Sequence, residues 1–564
     1  MVKFWNKKAA GEEEKPLLAT APTPDGYKPL SSRTPLLAAI LFSIVAVIYI
    51  VLPSLDLTPS SIIHTFASSN RCTSISLPAF PGFQITSVKG QEIHHYSSPD
   101  LGIPDLNFCN VTVGLTHDGV SDSVFVSLWL PLKGWNGRFM ATGGGGLAAG
   151  YESLTAYVTN ASYAGAFTDA GLTLGGTIDP GSGRWALKSD GTLNMDLVKN
   201  FADRSIHDMT VISKAAVEAF YGRKPRYNYY FGCSTGGRMG YFAAQRHPED
   251  FDGILANAPA FYMPPAIIGL FWPSVVMGNI VAPPQCVFEE YQKDIIMVCD
   301  PLDGVKDGFI SDLEKCIYDT KRLIGSKVTC PDGKLTITAQ HAEVVQKVLD
   351  GPELVKGEKI PAGNPPGASF AGLANTITIN GTIVPDPFFA AENWIKYFVA
   401  QDPDYDTKHM TYSQFAKIFT ESVRDFDDIL GTNDPDLSEF KARGGKLLTW
   451  HGLADQLINP VGSIVYRQAL EKKMGGAEAV DEFQRLFLAP GVAHCSGGIG
   501  PVPDITASLN VLRKWVELDI APGTLAASTK ADGTLVTRDL CRYPRLLKYD
   551  GKGDVNLASS FTCE

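Results

Sequence analysis

Residues 227–246 constrain the fold of this chain more than any other stretch. An aromatic strand, Tyr227 to Phe231, runs into Gly232-Cys233-Ser234-Thr235-Gly236 and on into a helical stretch, Arg238 to Arg246, stopped by Pro248. A strand passes into a helix over so few residues only through a sharp turn, which holds the serine oxygen out beyond the strand end. The flanking glycines are expected to supply the backbone freedom for that turn. The Gly-x-Ser-x-Gly spacing alone is weak, because a chain of this length matches it by chance roughly 0.4 times. A plain glycine-rich turn is the competing interpretation, and the position between strand and helix is what gives the motif weight.

A serine hydroxyl becomes a nucleophile only when a base takes its proton, and a carboxylate must orient that base. Around such a turn the order along the chain is serine, then acid, then histidine. Asp455, in His451-Gly-Leu-Ala-Asp455, follows the strand-like Lys446 to Trp450. His494, in Pro490-Gly-Val-Ala-His494-Cys495, follows the strand-like Phe483 to Leu488. Ser234, Asp455 and His494 are therefore the candidate catalytic residues. Taken singly, a turn-forming aspartate and a structural loop histidine are the plain alternatives for the last two. His451 competes as base, but it shares a loop with Asp455 and reads as loop-shaping. His247, ahead of Pro248, reads as a helix-end cap. Charge developing on a substrate oxygen needs main-chain N–H donors. Thr235, next to the nucleophile, offers one; the run Gly143 to Gly146, with Gly144 and Gly145 at its centre, is expected to offer the other.

Ser123 to Leu130, Arg138 to Thr142 and Gly253 to Ala256 read as further strands, and Asp208 to Phe220 as a helix. Strand and helix thus alternate from about residue 90. The alternation stops between about 261 and 440, where Pro, Gly, Asp, aromatic residues and four cysteines gather, and resumes at Lys446. The fold class is α/β, an α/β-hydrolase fold. Residues 72–260 and 441–564 form its catalytic domain, and 261–440 is a large lid inserted over the strand ends, where ligands of such sheets bind.

The chain carries a net charge of −11, while residues 1–33 hold six Lys/Arg against four acids. An acidic body repels phosphates and excludes a nucleic-acid partner. Leu36 to Leu52 is an uncharged apolar run bounded by Pro35 and Pro53. It stands at the short edge of bilayer-spanning length and follows the basic segment. Residues 1–34 then read as a cytosolic disordered tail, 35–53 as a transmembrane signal-anchor and 54–71 as a stalk below an extracellular or luminal body. A long cleaved signal peptide, releasing a secreted form, is the alternative. Ten cysteines without a Cys-x-x-Cys pair fit five disulfides better than zinc ligation. Sequons at Asn110, Asn160 and Asn380 agree with that compartment.

Four motifs resemble the tannase and feruloyl esterase family: Gly232-Cys-Ser-Thr-Gly-Gly237, His451-Gly-Leu-Ala-Asp-Gln-Leu-Ile-Asn-Pro460, Pro490-Gly-Val-Ala-His-Cys-Ser-Gly-Gly-Ile-Gly-Pro501 and Cys299-Asp-Pro-Leu-Asp-Gly-Val-Lys-Asp-Gly308. Pro248 to Gly253 resembles it too, and the resemblance covers about 72 to 563. It implies an esterase acting through an acyl-enzyme on a small-molecule ester of an aromatic acid, such as a feruloyl or galloyl ester. Another ester of secondary metabolism is the alternative, and an inactive membrane-anchored binding ectodomain a third. It implies a Cys233–Cys495 disulfide, which would clamp base and nucleophile because a disulfide holds its Cα atoms about 5.5 Å apart. It also implies a structural Ca2+ in the lid, on the carboxylates of Asp300, Asp303 and Asp307 and the carbonyls of Val305 and Phe309; such oxygen donors suit a hard cation. The other expected pairs are Cys72–Cys109 and Cys541–Cys563, with Cys286–Cys299 and Cys316–Cys330 as local pairs in the lid and a crossed arrangement left open.

Overall fold

Val111, Val113 and Leu115 are buried at every second position, which makes Ile103–His117 a long strand with one face in the core. The computed structural model describes residues 71–352, 363–531 and 533–564. The tail, the membrane segment and the stalk up to residue 70 lie outside the described residues. Among those described, no helix is long and apolar enough to cross a membrane.

Nine strands form one sheet. They are β1 (Phe83–Ser98), β2 (Ile103–His117), β3 (Val124–Pro131), β4 (Arg138–Thr142), β5 (Ala164–Thr168), β6 (Tyr227–Cys233), β7 (Gly253–Asn257), β8 (Lys446–Gly452) and β9 (Gln484–Ala489), in the order β1-β2-β3-β5-β4-β6-β7-β8-β9. Pairing is antiparallel from β1 to β5 and parallel from β5 to β9. A parallel half must be covered on both faces, so its strands read as continuous buried runs: every residue of β5 and of β7 is buried. The carboxyl ends of β6, β8 and β9 fall along one edge of this half. This mixed sheet with covering helices is an α/β-hydrolase fold.

The helices used below are α1 (Ser205–Tyr221), α2 (Thr235–Arg246), α3 (Gln285–Cys299) and α4 (Tyr412–Leu430). α1 is tied to the sheet through His117 at the end of β2. Its Nδ1–H donates to Asp122 at 2.6 Å and its Nε2–H to Asp208 of α1 at 2.8 Å. Burial pushes the imidazole pKa down, but the hydrogen bonds to both aspartates outweigh it and raise it to about 9. The group is therefore a buried imidazolium held between two carboxylates.

Between β7 and β8 the chain adds no strand to the sheet among the described residues. It forms α3, α4 and two hairpins, Lys327–Cys330 with Gly333–Thr336 and Ala374–Ile379 with Thr382–Pro387. α4 starts at a capping box, Thr411 with Gln414. It buries Phe415, Ile418, Phe419 and Phe426 on one face, in the same core cluster as the sheet.

Five disulfides join all ten cysteines. Cys72–Cys109, Cys233–Cys495 and Cys541–Cys563 pair as expected. The insertion does not: Cys286 pairs with Cys330 and Cys299 with Cys316, one nested inside the other. Cys286 and Cys299 stand near opposite ends of α3. At 1.5 Å per residue they are about 20 Å apart, far beyond disulfide reach. The sequons Asn160 and Asn380 are exposed, at the end of a helix and in a hairpin turn. Asn110 is half-buried within β2, where its side-chain oxygen accepts from Ser127.

Candidate active site

Ser234 sits between β6 and α2 with φ 63° and ψ −124°. A non-glycine residue rarely takes that conformation, and holding it costs on the order of 1–3 kcal/mol. Its N–H donates to Asn257 of β7 at 3.1 Å, and its carbonyl accepts from Arg238 and Ala260. The neighbouring glycines act differently from the expectation. Neither Gly232 nor Gly236 has a positive φ; the serine itself takes the strained turn. They are glycines because strand and helix close on each other there. A Cβ on Gly232 would lie 2.5 Å from the Gly236 carbonyl, and one on Gly236 2.8 Å from the Gly144 oxygen.

The structure brings Asp455 and His494 together from the ends of β8 and β9. His494 Nδ1–H donates to the carboxylate at 2.8 and 3.0 Å. Asp455 is fully buried, and His494 keeps 15 % of its side chain exposed. The N–H groups of Leu457 and Ile458 also donate to Asp455, at 3.0 and 2.8 Å. Burial pushes this carboxyl up, but the charge of His494 and the hydrogen bonds from His451 and His494 prevail and hold it well below the ordinary carboxylate range.

Cys233 and Cys495 are bonded, with Cα atoms 6.0 Å apart, so the residues beside them, Ser234 and His494, are fastened into one neighbourhood. The sulfur of Cys495 lies 3.6 Å from His494 Nε2. Among the described residues the Ser234 hydroxyl has no hydrogen-bond partner. Covalent bonding, not a preformed hydrogen bond, sets the spacing of His494 and Ser234 here.

Of the candidate oxyanion donors, Gly145 is taken: its N–H donates to Ala148 at 3.2 Å. The N–H groups of Gly144 and Thr235 have no acceptor among the described residues. Thr235 is the first residue of α2, where an N–H has no partner within its helix. Gly144 has no room for a side chain, since a Cβ would lie 2.0 Å from the Ala148 oxygen.

His451 is more than a loop-shaping residue. It is wholly buried, and its Nε2–H is shared between Asp455, at 3.2 Å, and the Ile458 carbonyl, at 2.9 Å. Its Nδ1 faces the Ser463 hydroxyl at 2.8 Å. A histidine with both nitrogens engaged and no access to solvent does not serve as the base. The sequence signal for its role was available in the i, i+4 spacing of His451 and Asp455.

In the Asp300–Phe309 turn, Asp300 accepts from the N–H groups of Asp307 and Gly308, each at 3.1 Å. Asp303 Oδ1 accepts from Val305, but Asp303 Oδ2 is buried without a partner. The carbonyls of Val305 and Phe309 accept no hydrogen bond among the described residues. Asp307 pairs with the buried Arg538 at 2.6 Å. Burial pushes the carboxyls of Asp300 and Asp303 up, and neighbouring carboxylates add to it. Arg538 pairs with one of the three carboxylates, and Asp303 Oδ2 and the two carbonyls remain unpaired, a donor set that fits a divalent hard cation. The three carboxylates do not converge as closely as the His207, His247 and Glu249 group, whose donor atoms lie within 4.8 Å of one another. Phe309 packs on the His494 loop: a Cβ on Gly491 would lie 2.8 Å from its ring.

The family described as "Tannase and feruloyl esterase" matches residues 109–564. A probable feruloyl esterase of Arthroderma benhamiae is 47 % identical over 504 residues, covering 87 % of this chain and 93 % of that one. A probable feruloyl esterase B-1 of Aspergillus flavus is 31 % identical, covering 81 % and 86 %. Among solved structures, the tannin acyl hydrolase of Aspergillus niger aligns with a TM-score of 0.77 at 26 % identity, over 86 % of this chain and 93 % of that one. Feruloyl esterase B of Aspergillus oryzae aligns with a TM-score of 0.71 at 26 % identity, over 88 % and 99 %.

Proposed function

The chain belongs to the tannase and feruloyl esterase family, and from that premise we propose that it hydrolyses esters of phenolic acids through an acyl-enzyme on Ser234. The observation that carries the residue assignment is the covalent fastening of strained Ser234 beside a histidine whose Nδ1–H is held by a buried, ionised Asp455. His494 Nε2 takes the Ser234 proton as the hydroxyl oxygen attacks the ester carbonyl. The N–H groups of Thr235 and Gly144 receive the oxyanion. The imidazolium then gives its proton to the departing alcohol, leaving the acyl-serine. A water, deprotonated by the same nitrogen, attacks the acyl-serine; the acyl–Oγ bond breaks, the imidazolium returns its proton to Ser234 Oγ, and the acid leaves. Asp455 stays ionised throughout and keeps the proton on Nδ1.

Residues 261–440 are the proposed lid that shapes the acyl site, and feruloyl and galloyl groups are the proposed acyl classes, after the named activities of the relatives. A calcium ion on Asp300, Asp303, Asp307 and the carbonyls of Val305 and Phe309 is proposed as the missing counter-charge of that turn; it would act structurally. The orphaned Asp303 Oδ2 supports it. The apolar run Leu36 to Leu52 supports the proposal of a membrane anchor, and exposed Asn160 and Asn380 that of glycosylation. The test is labelling with a fluorophosphonate, expected in the parent and lost in Ser234→Ala. It is followed by ranking methyl ferulate, methyl gallate, chlorogenic acid and p-nitrophenyl acetate by kcat/KM. Labelling that survives Ser234→Ala would overturn the assignment, and preference for the acetate over every phenolic ester would overturn the substrate class.

A further inference from the structure

α2 carries Ser234 at its start, and its far end holds a second constellation that the esterase chemistry does not use. His247 caps the last turn, and Pro248, Glu249 and Asp250 follow. His207 of α1 stacks on His247, with ring centroids 4.2 Å apart and planes 17° from parallel. Each ring gives one N–H to a carboxylate. His207 Nδ1–H donates to Asp250 at 2.9 Å, and His247 Nε2–H to Asp203 at 3.2 Å. Asp250 is buried and Asp203 is half-buried. The second nitrogen of each ring has no hydrogen-bond partner among the described residues. One donor atom each from His207, His247 and the exposed Glu249 lies within 4.8 Å of the others.

Two features separate this from a casual surface pair. A histidine whose inner N–H is held by a carboxylate is fixed in tautomer and made a better donor at its outer nitrogen, the arrangement that supports metal-bound imidazole. Here both rings have it. The site also lies at the carboxyl end of α2, where unpaired carbonyls favour positive charge, part of it already supplied by Arg246 on Asp203 at 3.0 Å and Lys214 on Asp250 at 3.8 Å. We propose that His207, His247 and Glu249 bind a divalent transition-metal ion of the zinc type. Two imidazoles and one carboxylate select such an ion over calcium, which prefers oxygen donors throughout. Parallel rings share a face, so chelation tilts one of them about its Cβ–Cγ bond, a soft torsion for histidine, by no more than its carboxylate hydrogen bond allows. The ion ties α1 to the end of the nucleophile helix, about 18 Å from Ser234 along twelve helical residues. It therefore acts on the rigidity of that helix and takes no part in ester chemistry.

The test is cobalt titration of the full chain, with millimolar calcium present to fill the proposed oxygen site, near pH 8, above the ordinary histidine value. The expected result is one Co2+ per chain, with intense visible bands of low-coordinate cobalt that Zn2+ abolishes by displacement. The bands should be lost in His207→Gln and in His247→Gln and retained in His409→Gln, an exposed histidine elsewhere. Glu249→Gln changes only an exposed side chain, so folding is not at risk; it should weaken cobalt binding about tenfold to a hundredfold. Zn2+ should raise the thermal midpoint of the parent and not of His247→Gln. Absence of the bands, their persistence in both histidine variants, or unaltered affinity in Glu249→Gln would overturn the site.

Discussion

Asp455 and Asp303 each carry a carboxylate oxygen cut off from water, and they stand in opposite electrostatic conditions. Asp455 has four partners: two main-chain N–H groups, His451 and His494. Its pKa is pulled far down despite complete burial. Asp303 has one oxygen with no partner, and burial together with Asp307 pushes its pKa up. The first carboxylate is complete within the chain; the second is the one that the proposed cation would complete. Burial alone therefore does not set ionisation: at Asp455 the charge of His494 and the donated hydrogen bonds outweigh it, while at Asp303 the hydrogen bonds do not.

The largest expected effect strikes the completed site. Ser234→Ala, His494→Ala and Asp455→Asn should each lower kcat by about 10⁴-fold or more. Circular dichroism should show the fold intact. Full activity in Asp455→Asn would break the comparison at its first term. His451→Phe is the sharper instrument. It removes one hydrogen bond from Asp455 and leaves Ile458 and Ser463 facing an apolar ring, for an expected loss of about tenfold to a hundredfold in kcat/KM. Because His451 helps depress the Asp455 pKa, its removal leaves the carboxylate less satisfied and a stronger partner for the His494 imidazolium, so the acid limb of the kcat/KM profile should move to higher pH. An unmoved acid limb would reduce His451 to a packing residue.

The incomplete site is tested by chelation. A ligand that binds only the folded chain stabilises it by about 2.7 kcal/mol at a hundredfold excess over Kd. Removing calcium should then lower the thermal midpoint by a few degrees, and Asp303→Ala should imitate it. The lid reading would have small p-nitrophenyl esters spared more than bulky aromatic ones. Phe309 packs on Gly491 in the His494 loop, however, so turnover of both is expected to fall together. Sparing of the small ester would restore the separation of lid and triad. The smallest effect concerns His117, where two carboxylates share one imidazolium. Its folded pKa, about 9, exceeds the ordinary histidine value. Its stabilisation is thus fully present below about pH 6.5 and lost as the pH rises through 9. The thermal midpoint should decline over that window, and a flat profile would remove His117 from the account.

Much of this was legible in the sequence. β4, β6, β7, β8 and β9 lie within a residue or two of the short apolar runs that turn residues bound, and the motifs pointed to Ser234, Asp455 and His494, which the structure brings into one neighbourhood. β5 was not found: Ala164-Gly-Ala-Phe-Thr168 is buried on both faces, so it shows no alternation, and its small residues carry little strand propensity. β1 was missed for the opposite reason, as a half-exposed outer strand rich in polar residues. The nested pairing in the insertion needed the extent of α3, since helical rise alone separates Cys286 from Cys299. The choice of Gly144 over Gly145 needed the main-chain partner of Gly145, which no residue type announces.

The bond between Cys233 and Cys495 spans 262 residues of sequence. It makes the chain from β7 through β9 a closed covalent ring, with the Cys286–Cys330 and Cys299–Cys316 bonds as smaller rings inside it. A protease that cuts once anywhere in the large ring yields two pieces on a reducing gel, one carrying Ser234 and the other Asp455 and His494 whenever the cut precedes β8. Without reductant those pieces remain a single molecule, with Ser234 and His494 still one residue from the same link. Surface loops of the insertion are thus free to be nicked, or over generations lengthened and replaced, without separating the proposed nucleophile from its proposed base.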